Sequence, residues 1–182
     1  MVNEGGLNLI FREKNAIKVL KFLIEHSDKD FYLTELKKQI GLSMVTLLKI
    51  IKIFDKESLI TVNQRGGVNY ISLDLEDPIV KQFKTLFNVA NVKANTENLK
   101  EIAEVYLYGS SARGEDRPAS DFDILILSEL NPNVIFKKLK KEKTPKSRQF
   151  SVIVMKPFEY AQLATKDYAF FNRVEIYKIK VV

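Results

Sequence analysis

Glycine occurs only seven times in 182 residues, so the places where this backbone can turn sharply are few, and each divides the chain. The glycines fall at Gly5 and Gly6, Gly41, Gly66 and Gly67, Gly109, and Gly114. Before Gly41, the residues Ala16, Ile17, Val19, Leu20, Leu23 and Ile24 recur with a helical period that closes before Asp28. Thr34 is the expected N-cap of a second helix, Glu35 to Ile40; Gly41 supplies a tight turn, and Ser43 caps a third helix from Met44 to about Lys56. Leu59 to Val62 and Val68 to Leu73 are β-prone runs around Asn63, Gln64, Arg65, Gly66 and Gly67, which predicts a hairpin.

Beyond Pro78, Ile79, Val80, Phe83, Leu86 and Phe87 keep a helical period, and Asn95 or Thr96 is the expected cap of a further short helix through Ile102. Val105 to Tyr108 reads as a short strand that stops at Gly109, and Ile124 to Leu127 as a second. A lysine-rich helix is expected from about Asn133 to Lys141, a third strand over Phe150 to Met155, a helix after Pro157, and a β-like tail from Val174 to Val182. The reading is therefore an α/β (α+β) chain of two domains, residues 1–77 and 78–182, the second with a small mixed β-sheet.

Composition removes whole classes of chemistry. There is no cysteine and one histidine, His26, which excludes a disulfide framework, a thiolate metal site and a cysteine nucleophile, and leaves no basis for a histidine cage or a Ser-His-Asp triad. Catalysis must use carboxylates, hydroxyls, amines or backbone groups. With 46% hydrophobic and 29% charged residues the chain can bury a core. No apolar run approaches the roughly 18 residues of a membrane span, and the start of the chain lacks the layout of a signal peptide, so a cytoplasmic protein with no membrane partner is expected.

The net charge of +6 is unevenly placed. Residues 1–78 carry 11 basic and 11 acidic residues, and residues 79–182 carry 18 and 12. Lys137, Lys138, Lys140, Lys141, Lys143, Lys146 and Arg148 form a run that either attracts a polyanion or, as such runs more commonly do, makes a solvated helix face and loop.

The stretch that carries chemistry runs from Gly109 to Asp123. A strand feeding into Gly109 and Ser110 at the start of a helical turn aims backbone N–H groups and a hydroxyl at an anion, for which phosphate is the natural guest, and Arg113 adds charge one turn on. Asp121 and Asp123 follow at the start of the next strand, where period-two alternation puts both carboxylates on one face. Two like charges so close call for a shared proton, a basic neighbour or a divalent cation, and hard oxygen donors suit Mg2+. An isolated Asp-x-Asp is most often a loop cap; joined to the strand and the Gly-Ser turn it reads as a site.

Two resemblances follow from these residues. Leu33-Thr-Glu-Leu36, Gly41-Leu-Ser43 and the Leu59-Ile60 start of a glycine-tipped hairpin resemble a winged helix-turn-helix domain. That resemblance implies duplex DNA as a partner, with Ser43, Met44, Thr46, Lys49, Lys52 and Arg65 as its contacts. The segment Val45 to Phe54 is apolar on nearly every side, which predicts burial on every side, and the neutral first half lacks the charge of a strong DNA binder; a homodimer or partner-docking module therefore stands as an equal alternative to DNA binding.

Gly109-Ser110, ten intervening residues and Asp121-x-Asp123 resemble the minimal nucleotidyltransferases of the DNA polymerase β superfamily, over about the last 80 residues, and Ala112-Arg113-Gly114-Glu115 with Ser120 fits the commoner spelling of that signature. The resemblance implies that Gly109, Ser110, Arg113 and Ser120 hold an NTP, that Asp121 and Asp123 bind Mg2+ or Mn2+, and that NMP passes to a hydroxyl with release of pyrophosphate. The family places a third carboxylate on the following strand, where this chain has Ser151. Glu159, past Pro157, is the substitute to consider. The rival expectations are a nucleotide-sensing transcriptional regulator with a degenerate transferase domain, and an antitoxin-like protein that modifies or caps a helical nuclease toxin.

Overall fold

The structure, a computed structural model, describes residues 6–139 and 148–182. They divide into two compact units between Val80 and Lys81. In the first, the helices are α1 (Gly6–Arg12), α2 (Ala16–Glu25), α3 (Leu33–Ile40) and α4 (Met44–Lys56), and the strands are β1 (Phe31–Tyr32), β2 (Ile60–Arg65) and β3 (Val68–Leu73). The strands form one antiparallel sheet in the order β1-β3-β2.

Local chemistry accounts for most of these boundaries. Buried Ala16, Val19, Leu20 and Leu23 make one stripe along α2. Gly41 ends α3 at φ 74°, its N–H donating to the Lys37 carbonyl, and Ser43 Oγ accepts the Thr46 N–H at 3.1 Å to start α4. Gly66 and Gly67, at φ 57° and 77°, form the two-residue turn between Arg65 and Val68, a conformation that costs other residues dearly.

Two expectations are corrected here. Thr34 is not the cap of α3: the helix starts at Leu33 with Tyr32 as N-cap, because Tyr32 is still paired to Tyr70 in β1 and the strand runs straight into the helix. Nor is α4 buried on every side. Leu47, Ile50, Ile51 and Phe54 face the core, while Val45 is 80% exposed and Leu48 37%, because a single helix lying on one core has only one covered face. His26, at the C-cap of α2, donates from Nδ1 to the Phe22 carbonyl at 2.8 Å and stacks on the Phe22 ring.

The second unit begins within α5 (Pro78–Thr96). There follow a 3-10 turn (Glu97–Leu99), β4 (Glu104–Tyr108), α6 (Gly109–Arg113), β5 (Phe122–Leu127), α7 (Pro132–Lys138), β6 (Phe150–Met155), α8 (Pro157–Lys166), α9 (Tyr168–Glu175) and β7 (Ile179–Lys180). The sheet is mixed, in the order β6-β5-β4-β7, with β5 and β6 parallel and the other pairs antiparallel. Both faces are covered. Ile124 and Ile126 pack with Leu99, Leu107 and Ile135 on one side, and Leu125 and Leu127 with Tyr108, Tyr160 and Val174 on the other, which is why β5 is apolar without alternation.

The short helix expected after Asn95 or Thr96 is only the 3-10 turn Glu97–Leu99, with Thr96 in its N-cap position, and it does not reach Ile102. Neither side chain caps it: α5 continues to Thr96, where Thr96 Oγ1 donates back to the Val92 carbonyl and Asn95 Nδ2 to that of Asn91, so both side chains serve the helix they end. The tail is not a continuous strand from Val174, because Asp167 caps α9 through the Phe170 N–H and the helix buries Val174 before β7 forms. Asn131 caps α7 one residue before Pro132; the expected end at Lys141 lies outside the described residues, as do Lys140, Lys143 and Lys146. Among the described residues no helix is long and apolar enough to cross a membrane.

Candidate active site

Gly109 follows β4 at φ 70°, and a Cβ there would lie 2.3 Å from Asp123 Oδ2. The turn thus presents bare backbone against the carboxylate, an approach only glycine allows. The register explains the meeting: Tyr108 is paired with Asp123 across the antiparallel β4–β5 ladder. Ser110 is the second residue of α6, a single turn that Gly114 closes at φ 69° with its N–H donating to the Ser110 carbonyl. A Cβ on Gly114 would come 2.1 Å from the Lys81 carbonyl of α5, so that backbone contact anchors the far end of the turn.

Asp121 is exposed just ahead of β5, and Asp123 is half-buried at its second residue. Burial pushes the Asp123 carboxyl up, and the Asp121 charge pushes it the same way, while Arg173 and Arg113 oppose them. Burial and then Asp123 likewise raise Tyr108. The structure therefore brings Gly109, Ser110, Asp121 and Asp123 to one end of β4 and β5. Arg113 lies at the rim, its Nε donating to Glu115 Oε2 at 2.6 Å and its guanidinium 5.3 Å over the Tyr177 ring. Ser120 Oγ accepts the Arg117 N–H at 3.0 Å, closing the turn that delivers Asp121.

Ser151 is the residue in register with Asp123 on β6. Glu159 is not near it. Glu159 lies past the other end of β6, about 13 Å of strand from Ser151 to Met155, and its carboxylate accepts the Lys156 N–H at 2.9 Å as a cap of α8. Among the described residues there is no group of three His, Cys, Asp or Glu side chains placed to hold a metal ion. The pair Asp121 and Asp123 nevertheless fits Mg2+ or Mn2+, which take one or two carboxylates and complete their shell with water and phosphate oxygens. The mutually repelling carboxylates beside a bare glycine turn are the donor set such an ion relieves.

The sequence reading missed Arg173. Its guanidinium lies 5.4 Å over Phe170, whose ring meets Tyr108 edge-on at 6.2 Å, and this places the cation beside Asp123. No local signal marked it, since it is one of 29 basic residues and lies 50 positions after Asp123.

The residues expected to bind DNA all lie on α4, its cap or the hairpin. Ser43 Oγ is shared between the Thr46 N–H and the Thr46 hydroxyl, Met44 is half-buried, and Lys52 is exposed. Lys49 pairs with Glu13 at 2.6 Å and Arg65 with Asp30 at 2.9 Å. Those acids offset the positive charge that phosphate binding requires.

The second unit is thus an α+β domain in which a glycine turn and an Asp-x-Asp pair share one end of a mixed sheet. Residues 91–176 match the family model of the nucleotidyltransferase domain, a span that contains the whole of this site. No curated protein matches the chain.

Proposed function

We propose that the second unit transfers a nucleoside monophosphate from an NTP to a hydroxyl acceptor, using Mg2+ or Mn2+. The observation that carries this reading is the contact between Gly109 and Asp123, which sets a phosphate cradle directly against a carboxylate. The Gly109 and Ser110 N–H groups and the Ser110 hydroxyl hold the triphosphate, with Arg113 adding charge from the rim. Asp121 and Asp123 hold the metal, which supplies charge neutralisation on the phosphates and a more acidic acceptor hydroxyl. The acceptor oxygen bonds to the α-phosphorus, the α–β bridging bond breaks, pyrophosphate leaves, and the hydroxyl proton passes to water. Ser151 is neither a base nor a strong magnesium ligand at neutral pH, so wild-type transfer is slow while binding persists.

The test is a melting experiment joined to a labelling one. NTP with Mg2+ raises the melting temperature by mass action, worth about 2.7 kcal/mol at 100 times the dissociation constant, and the double variant Asp121→Asn with Asp123→Asn loses the response. Label from NTP, with and without lysate, reports transfer. An unchanged ligand-induced shift in the folded double variant removes the assignment.

The first unit is proposed to be a winged helix whose α4 meets duplex DNA through Ser43, Met44, Thr46, Lys49 and Lys52, with Arg65 at the hairpin. The support is the solvent-facing side of α4, which carries Val45, Lys49 and Lys52 away from the core.

A further inference from the structure

A buried polar cluster beside the site is not used by the reading above. Arg148, the last cation of the lysine-rich run, is 9% exposed and belongs to no solvated face. Its Nε donates to the Ser120 carbonyl at 2.7 Å, its Nη1 to Asp116 Oδ2 at 2.7 Å and Asn88 Oδ1 at 3.1 Å, and its Nη2 to Ser111 Oγ at 2.9 Å. The guanidinium lies 3.7 Å over the Phe122 ring. The Ser111 hydroxyl in turn donates to the Asp121 carbonyl at 3.3 Å. From α5, Asn88 Nδ2 donates to the Ser111 carbonyl and to Asp116 Oδ1, and Lys84 donates to the Asp116 carbonyl.

Three of the groups that the guanidinium meets are next to a proposed ligand. Ser111 follows Ser110, Ser120 precedes Asp121, and Phe122 separates Asp121 from Asp123. A buried ion pair is poor evidence for net stability, because desolvating both charges costs about as much as their attraction returns. What a guanidinium offers that an apolar side chain cannot is a rigid planar fork of donors with fixed directions. Here the fork ties the Gly-Ser turn to the carboxylate turn.

We propose that Arg148 is a positioning residue: through Ser111 and Ser120 it fixes the separation between the Gly109–Ser110 phosphate cradle and the Asp121–Asp123 carboxylates. This rests on the nucleotide-site reading given above. The cradle and the carboxylates lie on different elements, so a metal and a triphosphate bind synergistically only if the two are held at the right distance. Lysine at position 148 keeps a cation for Asp116 but cannot reach Ser111 and Ser120 together.

The experiment measures Mn2+ binding to the full chain by electron paramagnetic resonance, with and without inorganic tripolyphosphate, well below each variant's melting temperature. Wild type binds Mn2+ more tightly when tripolyphosphate is present. Arg148→Lys binds Mn2+ alone as wild type does and loses on the order of 10- to 100-fold of that tightening, the scale of a misplacement near 1 Å. Ser111→Ala, which removes the relay to Asp121 with little change of volume, loses part of it and serves if Arg148→Lys does not fold. Lys84→Met disturbs the same cluster but loses contacts only to Asp116, its carbonyl and its carboxylate at 3.8 Å, and none to Ser111 or Ser120; it lowers the melting temperature and leaves the tightening intact. Wild-type tightening in Arg148→Lys or Ser111→Ala overturns the positioning role and leaves the site reading standing. Equal loss in Lys84→Met overturns it in favour of general loosening. Absence of any tightening in the wild type overturns the site reading itself.

Discussion

Ser151 stands directly opposite Asp123 in the parallel pairing of β6 with β5, so a hydroxyl occupies the place from which a side chain on β6 reaches the carboxylate pair. Ser151→Asp puts a third acid there. Mg2+ affinity is expected to rise and NTP turnover to increase, while metal-free stability falls by about 1 kcal/mol from like charges placed across a strand pair. Calorimetric Mg2+ titration and pyrophosphate release check both halves. A fast wild-type enzyme impaired by this change means that another group completes the site.

Asp123 shows the cost of the arrangement in the absence of metal. Burial and the Asp121 charge hold its carboxyl above the ordinary carboxylate range, with Arg113 and Arg173 only partly offsetting them. A carboxyl with a raised folded-state value favours the native state while protonated, and that advantage is lost as pH rises through the folded value. Asp123→Asn is therefore expected to raise the metal-free melting temperature at neutral pH and to lose that gain as pH falls below the ordinary carboxylate range. Thermal scans in chelator across that window decide it; a lower melting temperature at neutral pH contradicts the expectation.

The glycines separate into two groups by what surrounds them. Gly41 and Gly66 have left-handed backbones with open space where a Cβ would go, so alanine there costs only the conformational penalty of about 1 to 2 kcal/mol. Gly114 adds a backbone clash with Lys81 to the same penalty, and Gly114→Ala is expected to destabilise clearly more. Gly109→Ala displaces the Asp123 carboxylate instead, so its expected mark is lost Mg2+ and NTP binding beyond what its stability change explains. Urea denaturation with parallel ligand titration distinguishes the three outcomes.

What the sequence made legible was local. The stripe on α2, the Ser43 cap, the Gly66–Gly67 hairpin and the run from Gly109 to Asp123 each depend on residues within a few turns of one another. Two elements were missed for want of pattern: β1 has two residues, and α1 has seven with Leu7 and Phe11 exposed, so no amphipathic signal marks it. Arg148 was hidden by distance. Its partners Asn88 and Ser111 lie 60 and 37 positions away, and among neighbouring lysines nothing distinguishes a buried guanidinium from a solvated cation. The same holds for Asp116, whose role exists only once Lys84 and Asn88 of α5 and Arg148, ahead of β6, are folded around it.

The ion pairs of the first unit turn the DNA proposal into a prediction with an unusual sign. Lys49 and Arg65 are held by Glu13 and Asp30, so on meeting a duplex they must exchange a carboxylate for a phosphate. Such surface pairs are worth about 0 to 1 kcal/mol each, and each phosphate neutralised contributes about one unit to the slope of log affinity against log salt. Lys49→Ala, Lys52→Ala and Arg65→Ala are expected to weaken binding and flatten that slope by about one unit each. Glu13→Gln and Asp30→Asn are expected to do the opposite, raising affinity at low salt, because they release the cations without removing them. Fluorescence anisotropy on a random duplex over a salt series reads all five. If the acid variants leave affinity unchanged and Lys49→Ala has no effect, α4 does not meet phosphate, and its exposed Val45 and Leu48 face is better read as a protein contact.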